Sequence, residues 1–287
     1  MKHIQVILIR AVLYIFQRIP ENTALSFGKK LGLFWFHVIR YRRSLVIDNL
    51  RKAFSQEKSE AEILRLARDN FIHYGIYLVE FLRLPGLDRD DLEKRIKILD
   101  TSHIEKALLK GKGLIVICGH YGNFDLMAIA QSIAGFDTYI ITKKIRNKSI
   151  NEYWQKIRED KGVKFLPKKK SLFAILRLLK QNKIIGMIFD QHMGGNKGVN
   201  VNFFNRPAST MKAVAMIAVK TGTPVVPVFN WREDGIHYLT SGPEIPLVTG
   251  STKDETVLFS TQKFNDVIEA FIRQHPEQWI WVHKRWK

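Results

Sequence analysis

A histidine and a carboxylate stand close together where a buried strand gives way to a helix. The apolar run Leu114–Cys118 leads directly into GHYGNFD, residues 119–125, which contains His120 and Asp125. A neutral imidazole can take a proton from a hydroxyl, and a carboxylate one helical turn away can fix its tautomer and stabilise the imidazolium. The spacing therefore predicts acid–base chemistry at the carboxyl end of a strand, where α/β proteins commonly keep their reactive groups.

The same pair also has a purely structural interpretation, with His120 as a core histidine and Asp125 as a helix N-cap. The context favours catalysis. The preceding strand is continuously apolar, and glycines at 119 and 122 permit a tight turn. Polar pairs in such positions cluster at functional sites.

A second acid follows another apolar strand, 184–189, in the sequence Asp190-Gln191-His192. Two glycines come next, as in a loop that faces a substrate, so we predict a supporting active-site role for Asp190 rather than a merely solvated strand end. A metal held by His120, Asp190 and His192 would lack the ligand spacing of known zinc motifs, and we predict none.

The segment 203–210 predicts an anion site. Ser209 or Thr210 would cap the apolar helix that starts at Ala213, its free amides would face a phosphate, and Arg206 would supply a fork of donors. The alternative is an ordinary cap beside a surface arginine.

The composition indicates a globular chain with an anionic partner. Its 287 residues are 46% hydrophobic, and 46 Lys and Arg against 27 Asp and Glu give a formal net charge of +19. Nucleic acid, a phospholipid surface or an acidic carrier with phosphorylated substrates would each suit this charge. The single cysteine, Cys118, excludes an intramolecular disulfide; a covalent acyl-thiol is less typical of a cysteine in an apolar run than simple burial.

Several motifs are absent from the sequence: the Gly-x-Ser-x-Gly elbow, the Walker loop, a complete dinucleotide fingerprint and the RNA-recognition aromatic signature. Serine hydrolases, P-loop enzymes and the common RNA-binding modules are therefore disfavoured.

The N-terminal region predicts membrane association. Residues 4–16 are almost wholly apolar but are interrupted by Arg10, and about 13 such residues are too few for a spanning helix, which needs roughly 20. An interfacial helix fits better, and no cleavage site of small residues follows it. Residues 31–36 and 40–43 repeat the apolar-then-basic pattern, for which a buried helix is the alternative. We predict a membrane-associating helical region, 1–40, and a second domain, 41–287.

The remaining pattern predicts an α/β fold. Helices occupy residues 1–83, and strands and helices then alternate, which favours a mostly parallel central sheet flanked by helices. A late hairpin around residues 233–235 makes the sheet mixed, and a long helix at about 254–273 precedes the tail. The tail contains Trp279, Trp281 and Trp286 among basic residues, which suits a membrane interface, base stacking or closure of the core.

Taken together, these segments resemble the bacterial lipid A biosynthesis acyltransferases, which add secondary acyl chains to a lipid A precursor. The resemblance spans nearly the whole chain, and its motifs are the following: Arg43, Asn49-Leu50, Glu80, residues 119–125, Asp190-Gln191, Phe203-Phe204, Ala208, Thr210, residues 221–227 and the tail from Pro276 to Trp286.

The resemblance implies a glycerolipid-acyltransferase-like fold and direct attack of an acceptor hydroxyl on an acyl thioester. It makes His120 the general base, Asp125 its acidic partner and Asp190 a supporting acid. The predicted substrate-binding residues are Asn123, Lys143, Asn147, Arg158, Gln191, Arg206 and Thr210. Lys143-Lys144 departs from the family, which commonly has Arg-Pro there.

The resemblance also implies an acyl carrier protein as partner, an anionic glycolipid acceptor and the cytoplasmic face of the inner membrane. It requires neither cofactor nor metal, and coenzyme A is the alternative donor. Another glycolipid or phospholipid is the alternative acceptor. A non-catalytic membrane or nucleic-acid-binding protein is the alternative from another class, although no specific nucleic acid is expected.

Overall fold

The computed structural model describes residues 11–142, 147–167 and 171–287. Residues 11–18 are helical. The further α-helices are α1 Glu21–Phe34, α2 Arg43–Phe54, α3 Glu60–Arg83, α4 Arg89–Arg95, α5 Ser102–Leu108, α6 Phe124–Ile133, α7 Lys148–Glu159, α8 Ser171–Lys180, α9 Ala213–Thr221 and α10 Lys253–Ile272. The strands are β1 Ile96–Asp100, β2 Leu114–Cys118, β3 Thr138–Thr142, β4 Lys164–Pro167, β5 Ile184–Ile188, β6 Gly198–Phe203, β7 Arg206–Met211, β8 Val225–Glu233 and β9 Ile236–Ser241.

Seven of these strands form the central sheet, in the order β1-β9-β8-β2-β5-β3-β4. The β8–β9 pair is antiparallel, and the other neighbouring pairs in this sheet are parallel. The turn of the β8–β9 hairpin places Asp234 and Gly235 at φ 49° and 81°, as in the two-residue turns that match strand twist. The predicted α/β class and the mixed, mostly parallel sheet are confirmed.

Strand β2 is the middle strand of the sheet, and both faces of the sheet are covered at this strand. All five of its residues are buried. Ile115 and Ile117 belong to the core shared with α2, α3, α8, α9, α10 and the tail. Leu114, Val116 and Cys118 belong to the core on the other face, with α5 and α6. A strand buried on both sides is continuously apolar rather than alternating, which explains the sequence pattern.

Helices α1 and α3 pack against each other through one very close backbone contact. A Cβ at Gly75 would lie 2.1 Å from the carbonyl oxygen of Gly28 and 2.6 Å from the backbone nitrogen of Gly32. The two backbones therefore touch where a side chain has no room.

We expect Gly75→Ala to lower the free energy of unfolding by about 1–3 kcal/mol, since the added methyl group must push the helices apart. Urea denaturation followed by circular dichroism measures this change. Gly194→Ala is the matched control, because no atom lies within 4 Å of the added Cβ. Equal stability of the two variants would contradict the close contact.

The predicted capping of the helix that starts at Ala213 by Ser209 or Thr210 is wrong. Residues 203–210 form most of a hairpin, β6–β7, whose turn residues Phe204 and Asn205 have φ of 50° and 56°. Thr210 lies in β7 and is fully buried, and its hydroxyl accepts from Arg285 Nη2 at 2.5 Å. Lys212, not Ser209 or Thr210, precedes α9, and no side chain caps that helix. The paired strands hold the two hydroxyl residues away from its N-terminus.

Arg206 also lies elsewhere than predicted. Its Nε donates to the carbonyl oxygen of Lys52 at 2.9 Å, on the exposed surface. It therefore ties the hairpin to α2 and supplies no fork of donors at the start of α9.

The tryptophans of the tail close the core. Trp279 and Trp281 are fully buried, and their rings meet edge to face, with centroids 4.6 Å apart. Trp286 packs on Phe203, with its centroid 5.7 Å away. Among the three interpretations of the tail, core closure is correct for Trp279 and Trp281, because neither ring reaches the surface.

No helix in the described part of the chain is long and apolar enough to cross a membrane. Residues 4–10 of the predicted interfacial helix lie outside the described residues.

Candidate active site

His120 and Asp190 meet because the two strands that precede them are paired in register. Strands β2 and β5 are parallel neighbours, and Cys118 is paired with Ile188. His120 and Asp190 each follow two residues later, at the same edge of the sheet. The sheet thus brings together two residues that are 70 positions apart in the chain.

The Asp190 carboxylate accepts three hydrogen bonds. Its Oδ1 accepts from His120 Nδ1 at 2.8 Å. Its Oδ2 accepts from the backbone N–H of His120 at 2.6 Å and from the indole Nε1 of Trp279 at 2.7 Å. One carboxylate therefore fixes both the ring and the backbone of His120.

These contacts keep Asp190 ionised despite its burial. The side chain is 0% exposed, and burial by itself would raise its pKa. The charge and hydrogen bonds of His120, together with the indole N–H of Trp279, outweigh burial and lower the pKa below the usual range. Because an ionised carboxylate only accepts, the hydrogen of the neutral imidazole must sit on Nδ1.

The other ring nitrogen of His120, Nε2, is left as an acceptor. The His120 side chain is 19% exposed, whereas the Asp190 carboxylate at Nδ1 is fully buried. Gln191 Nε2 lies 3.4 Å away, at the long limit of a hydrogen bond. An incoming hydroxyl could displace this weak contact and donate to Nε2. The arrangement is that of a general base whose tautomer is set by a buried carboxylate.

Asp125 was predicted to contact His120, but in the structure it contacts other residues. Its Oδ2 accepts from the hydroxyl of Tyr77 at 2.6 Å, and its Oδ1 lies 3.0 Å from Arg158 Nε. The carboxylate that is hydrogen-bonded to His120 belongs to Asp190, so the predicted contact between His120 and Asp125 is wrong. Asp125 belongs to the first turn of α6, and this turn directs it toward α3 and α7. Burial raises the pKa of Asp125.

Arg158 forms the other half of this ion pair. Only 9% of its side chain is exposed, and its guanidinium lies 3.7 Å from the ring centroid of Trp154. Burial lowers the pKa of Arg158. The ion pair sits one helical turn behind His120, within electrostatic range of the imidazole.

Asn123 connects the active-site turn to a buried polar network. Its Oδ1 accepts from the backbone N–H of Leu126 at 3.1 Å, which caps α6, and its Nδ2 donates to Glu80 at 2.9 Å. Arg232 Nη1 and His237 Nε2 each lie 3.1 Å from the same carboxylate. Burial alone would raise the pKa of Glu80, but His237 and Arg232 lower it well below its usual range.

Gly122 adopts a conformation that favours glycine. Its φ is 56°, and a Cβ would lie 2.6 Å from Asn230 Nδ2. Its carbonyl oxygen lies 3.2 Å from Nε2 of His73, whose pKa burial lowers to about 3. A neutral imidazole at His73 therefore donates to the turn. These contacts hold the backbone between His120 and α6 in one conformation.

The structure brings His120, Asp190 and Gln191 together and places Asn123 in the turn between His120 and α6. Asn147 is exposed, and its carbonyl oxygen accepts from the N–H of Asn151 in α7. Lys143 lies outside the described residues.

Cys118 lies two residues before His120 and is buried. Its Sγ is 3.8 Å from the carbonyl oxygen of Met187. Burial raises the pKa of the thiol far above its usual range. This environment disfavours the thiolate that a covalent acyl intermediate would need.

With this geometry in place, comparison with known proteins decides the family. The sequence matches the profile of the family described as bacterial lipid A biosynthesis acyltransferase over residues 1–287. The chain belongs to this family. It is an acyltransferase, and the resemblance found in the sequence is confirmed.

Relatives in the family act on two kinds of glycolipid. The chain is 25% identical to the lipid A biosynthesis lauroyltransferase of Escherichia coli K12, over 96% of this chain and 89% of the relative. The palmitoleoyltransferase of the same organism is 23% identical over the same shares. The phosphatidylinositol mannoside acyltransferase of Mycolicibacterium smegmatis is 26% identical, over 77% of this chain and 72% of the relative.

Three side-chain contacts of this acyltransferase were not predicted from the sequence. Trp279 donates to the Asp190 carboxylate, Tyr77 donates to Asp125, and Arg232 pairs with Glu80 at 3.1 Å. No local motif marks these partners, since each comes from a distant segment. The pairing of His120 with Asp190 did have a signal in the sequence. Parallel strands that end at one edge of a sheet place the residues that follow them close together.

We expect Asp125→Asn to impair turnover while the chain remains folded. The amide still accepts from Tyr77, but Arg158 is left as a buried charge without a carboxylate, which costs about 3 kcal/mol of stability. Steady-state acyl transfer and urea denaturation measure the two effects. Wild-type turnover in this variant would remove Asp125 from the mechanism.

Proposed function

We propose that the protein transfers a fatty acyl chain from a carrier thioester to a hydroxyl of a lipid A precursor, with His120 as the general base. One observation carries this proposal. The Nδ1 of His120 is hydrogen-bonded to a buried, ionised Asp190, which leaves Nε2 as the acceptor of a ring that is 19% exposed. Family membership supports the reaction class.

In the proposed step, the acceptor hydroxyl donates its proton to His120 Nε2 as its oxygen attacks the thioester carbonyl carbon. A tetrahedral intermediate forms, and Asp190 stabilises the imidazolium. The intermediate collapses with cleavage of the carbon–sulfur bond, and the leaving thiolate takes the proton back from Nε2. The products are an ester and a thiol, and His120 returns to its starting state.

The donor is proposed to be an acyl carrier protein thioester, with coenzyme A as the alternative. The thioester is already activated, so direct attack suffices without a cofactor. The net charge of +19 suits an acidic carrier and a phosphorylated acceptor alike. Asn123, Lys143, Asn147, Arg158 and Gln191 stay proposed contributors to substrate binding.

We also propose that the enzyme works at the cytoplasmic face of the inner membrane through its N-terminal region, residues 1–40. Large exposed apolar side chains are concentrated here. Those in or directly beside this region are Val12, Tyr14, Ile15, Phe27, Phe34, Val38, Ile39 and Tyr41. Such a surface beside basic residues suits a helix lying in the membrane interface.

A second acceptor deserves a parallel test, because the 26% identity to a phosphatidylinositol mannoside acyltransferase is as high as that to the lipid A enzymes. Both acceptors are anionic glycolipids with free hydroxyls, so the same base could serve either.

The experiment is mass spectrometry of a tetra-acylated lipid A precursor incubated with acyl carrier protein thioesters and either wild-type or His120→Ala protein. We expect a mass gain of one acyl chain with wild type only. A parallel incubation contains phosphatidylinositol mannoside. A mass gain only in the incubation with phosphatidylinositol mannoside would indicate that this glycolipid is the acceptor, and His120 would remain the proposed base. Equal gains with wild type and His120→Ala would remove the proposed base.

A further inference from the structure

Three arginines surround a concavity on the helical layer, away from the sheet edge that carries His120. It has a volume of about 330 Å³ and lies between the start of α2 and the first turns of α3. Its lining residues are Phe36, Arg43, Ala61, Leu64, Arg65 and Arg68. The last four follow the i, i+3, i+4, i+7 spacing of one helix face, so their side chains point to one side of α3. We call this concavity the arginine pocket.

The guanidinium of Arg43 is fixed but unsatisfied. It lies 4.4 Å from the ring centroid of Phe36, and stacking on an aromatic face fixes its orientation. Its Nε is buried and has no hydrogen-bond partner in the described part of the chain. A buried donor without a partner costs free energy, which an acceptor in the pocket would recover.

Of the other two arginines, Arg65 has no carboxylate partner among the described residues, and Arg68 is paired with a carboxylate that does not line the pocket. Arg65 forms no ion pair with a described carboxylate, and the carboxylate of Glu62, within its electrostatic range, accepts a hydrogen bond from the backbone N–H of Ser59. Arg68 is paired with the adjacent Asp69 at 2.8 Å. None of the six lining residues is acidic. Planar guanidinium forks around a concavity match the oxygens of a phosphate.

The surface beside the pocket is apolar. Phe36 belongs to a π-helix, Trp35–Ile39, whose last residues are the exposed Val38 and Ile39, 62% and 53% accessible. Tyr41, 60% accessible, follows in the same turn. Exposed β-branched and aromatic residues next to basic ones suit the boundary between lipid headgroups and acyl chains.

We propose that the arginine pocket binds the phosphate of an anionic membrane lipid, while Val38, Ile39 and Tyr41 enter the acyl layer beside it. Only a lipid offers both a phosphate and an adjoining hydrocarbon phase to these two surfaces. The acidic face of a carrier protein would match the arginines but would leave the apolar turn uncovered. The site extends the proposed membrane association and does not depend on the identity of the acyl acceptor.

The test is flotation with vesicles of phosphatidylcholine alone or with one-quarter phosphatidylglycerol. We expect Arg65→Gln/Arg68→Gln to weaken binding to the anionic vesicles by roughly 30-fold, because each arginine near such a surface contributes roughly fivefold. Lys110→Gln/Lys220→Gln removes the same charge elsewhere and is expected to bind nearly as wild type does. Both double variants keep Arg43, so the stacked part of the pocket stays intact.

A charge-conserving variant separates a pocket from a general basic surface. Arg65→Lys/Arg68→Lys keeps the charge and loses the planar forks, so we expect binding to anionic vesicles to weaken in it as well. Ile39→Ser should weaken binding to both kinds of vesicle, because it removes apolar contact alone.

Three outcomes would overturn the proposal. The first is wild-type binding of anionic vesicles by the Arg→Gln double variant. The second is an equal loss in the Lys110/Lys220 control, which would indicate general charge only. The third is unchanged vesicle binding with a raised KM for the acyl carrier thioester, which would assign the pocket to the carrier. Vesicle binding requires no turnover, so failure here is distinguishable from failure of the proposed reaction.

Discussion

Turnover of acyl transfer is expected to fall roughly 10²- to 10⁴-fold in the His120→Ala enzyme, because the reaction loses the proposed general base. The ring is the group whose Nε2 is open to an acceptor hydroxyl, and its Nδ1 is held 2.8 Å from Asp190. Without it, a hydroxyl with a high pKa must attack the thioester unaided. Stopped assays with a radiolabelled acyl thioester at saturating acceptor measure the loss directly.

Two controls make this result specific to the chemistry. Vesicle binding by the His120→Ala protein should equal that of wild type, since the arginine pocket lies on other elements. Substrate affinity should change far less than kcat, because the ring acts mainly in the transition state. A binding protein without catalytic activity would be indifferent to the substitution, and wild-type turnover in this variant would refute the proposed base.

The elements around His120 were largely predictable, because their sequence patterns are local. Strand β2 was predicted with its observed bounds, and the predicted alternation of strands and helices, the late hairpin and the long helix before the tail are all present. A strand buried on both faces needs a continuous apolar run, and Leu114–Cys118 provides one.

The β6–β7 hairpin was not predicted, because its turn lacks the glycine-containing sequence that usually indicates a two-residue turn. Phe204 and Asn205 occupy the left-handed region, where glycine or asparagine would ordinarily mark a two-residue turn. A phenylalanine at such a position is uncommon, and here Phe204 is buried against Phe54 and Trp281. Tertiary packing thus offsets the local cost of the turn, and no local pattern could reveal that.

The carboxylate that is hydrogen-bonded to His120 was mispredicted for a related reason. Sequence proximity made Asp125 the candidate, since it lies one turn beyond His120. The fold instead aligns two strand ends, and it directs Asp125 to Tyr77 and Arg158. Register between strands is a property of the whole sheet, and the residues that follow two paired strands can be assigned only when that pairing is known.

Asp190→Asn is expected to lower kcat by roughly 10²- to 10⁴-fold, because the amide imposes the wrong tautomer on His120. Both oxygens of Asp190 accept hydrogen bonds, Oδ1 from the ring and Oδ2 from the His120 backbone and Trp279. An amide nitrogen must replace one of them. At the position of Oδ2, the amide nitrogen would face two N–H donors, those of the His120 backbone and Trp279, and no acceptor. The amide nitrogen is therefore expected to face the ring of His120 instead. Nδ1 then becomes the acceptor, and the hydrogen moves to Nε2, where a base needs a lone pair.

Trp279→Phe is the matched control, because it removes one donor to Oδ2 and leaves the tautomer unchanged. We expect a much smaller loss of kcat in it than in Asp190→Asn. Equal losses would mean that general disturbance of the buried cluster, rather than the tautomer, lowers activity. Michaelis–Menten analysis of both variants beside wild type makes the comparison.

Acid stability gives an independent readout of the same carboxylate. Its partners lower the folded-state pKa of Asp190 below the value of about 3.9 that an unfolded chain shows. Its ionised form therefore stabilises the fold above about pH 4, and this stabilisation is lost as the pH falls through the folded-state pKa. Asp190→Asn cannot titrate here, so the difference in unfolding free energy between wild type and variant should narrow on acidification. A constant difference would mean that the carboxylate titrates alike in the folded and unfolded chains, which its three hydrogen bonds to N–H donors argue against.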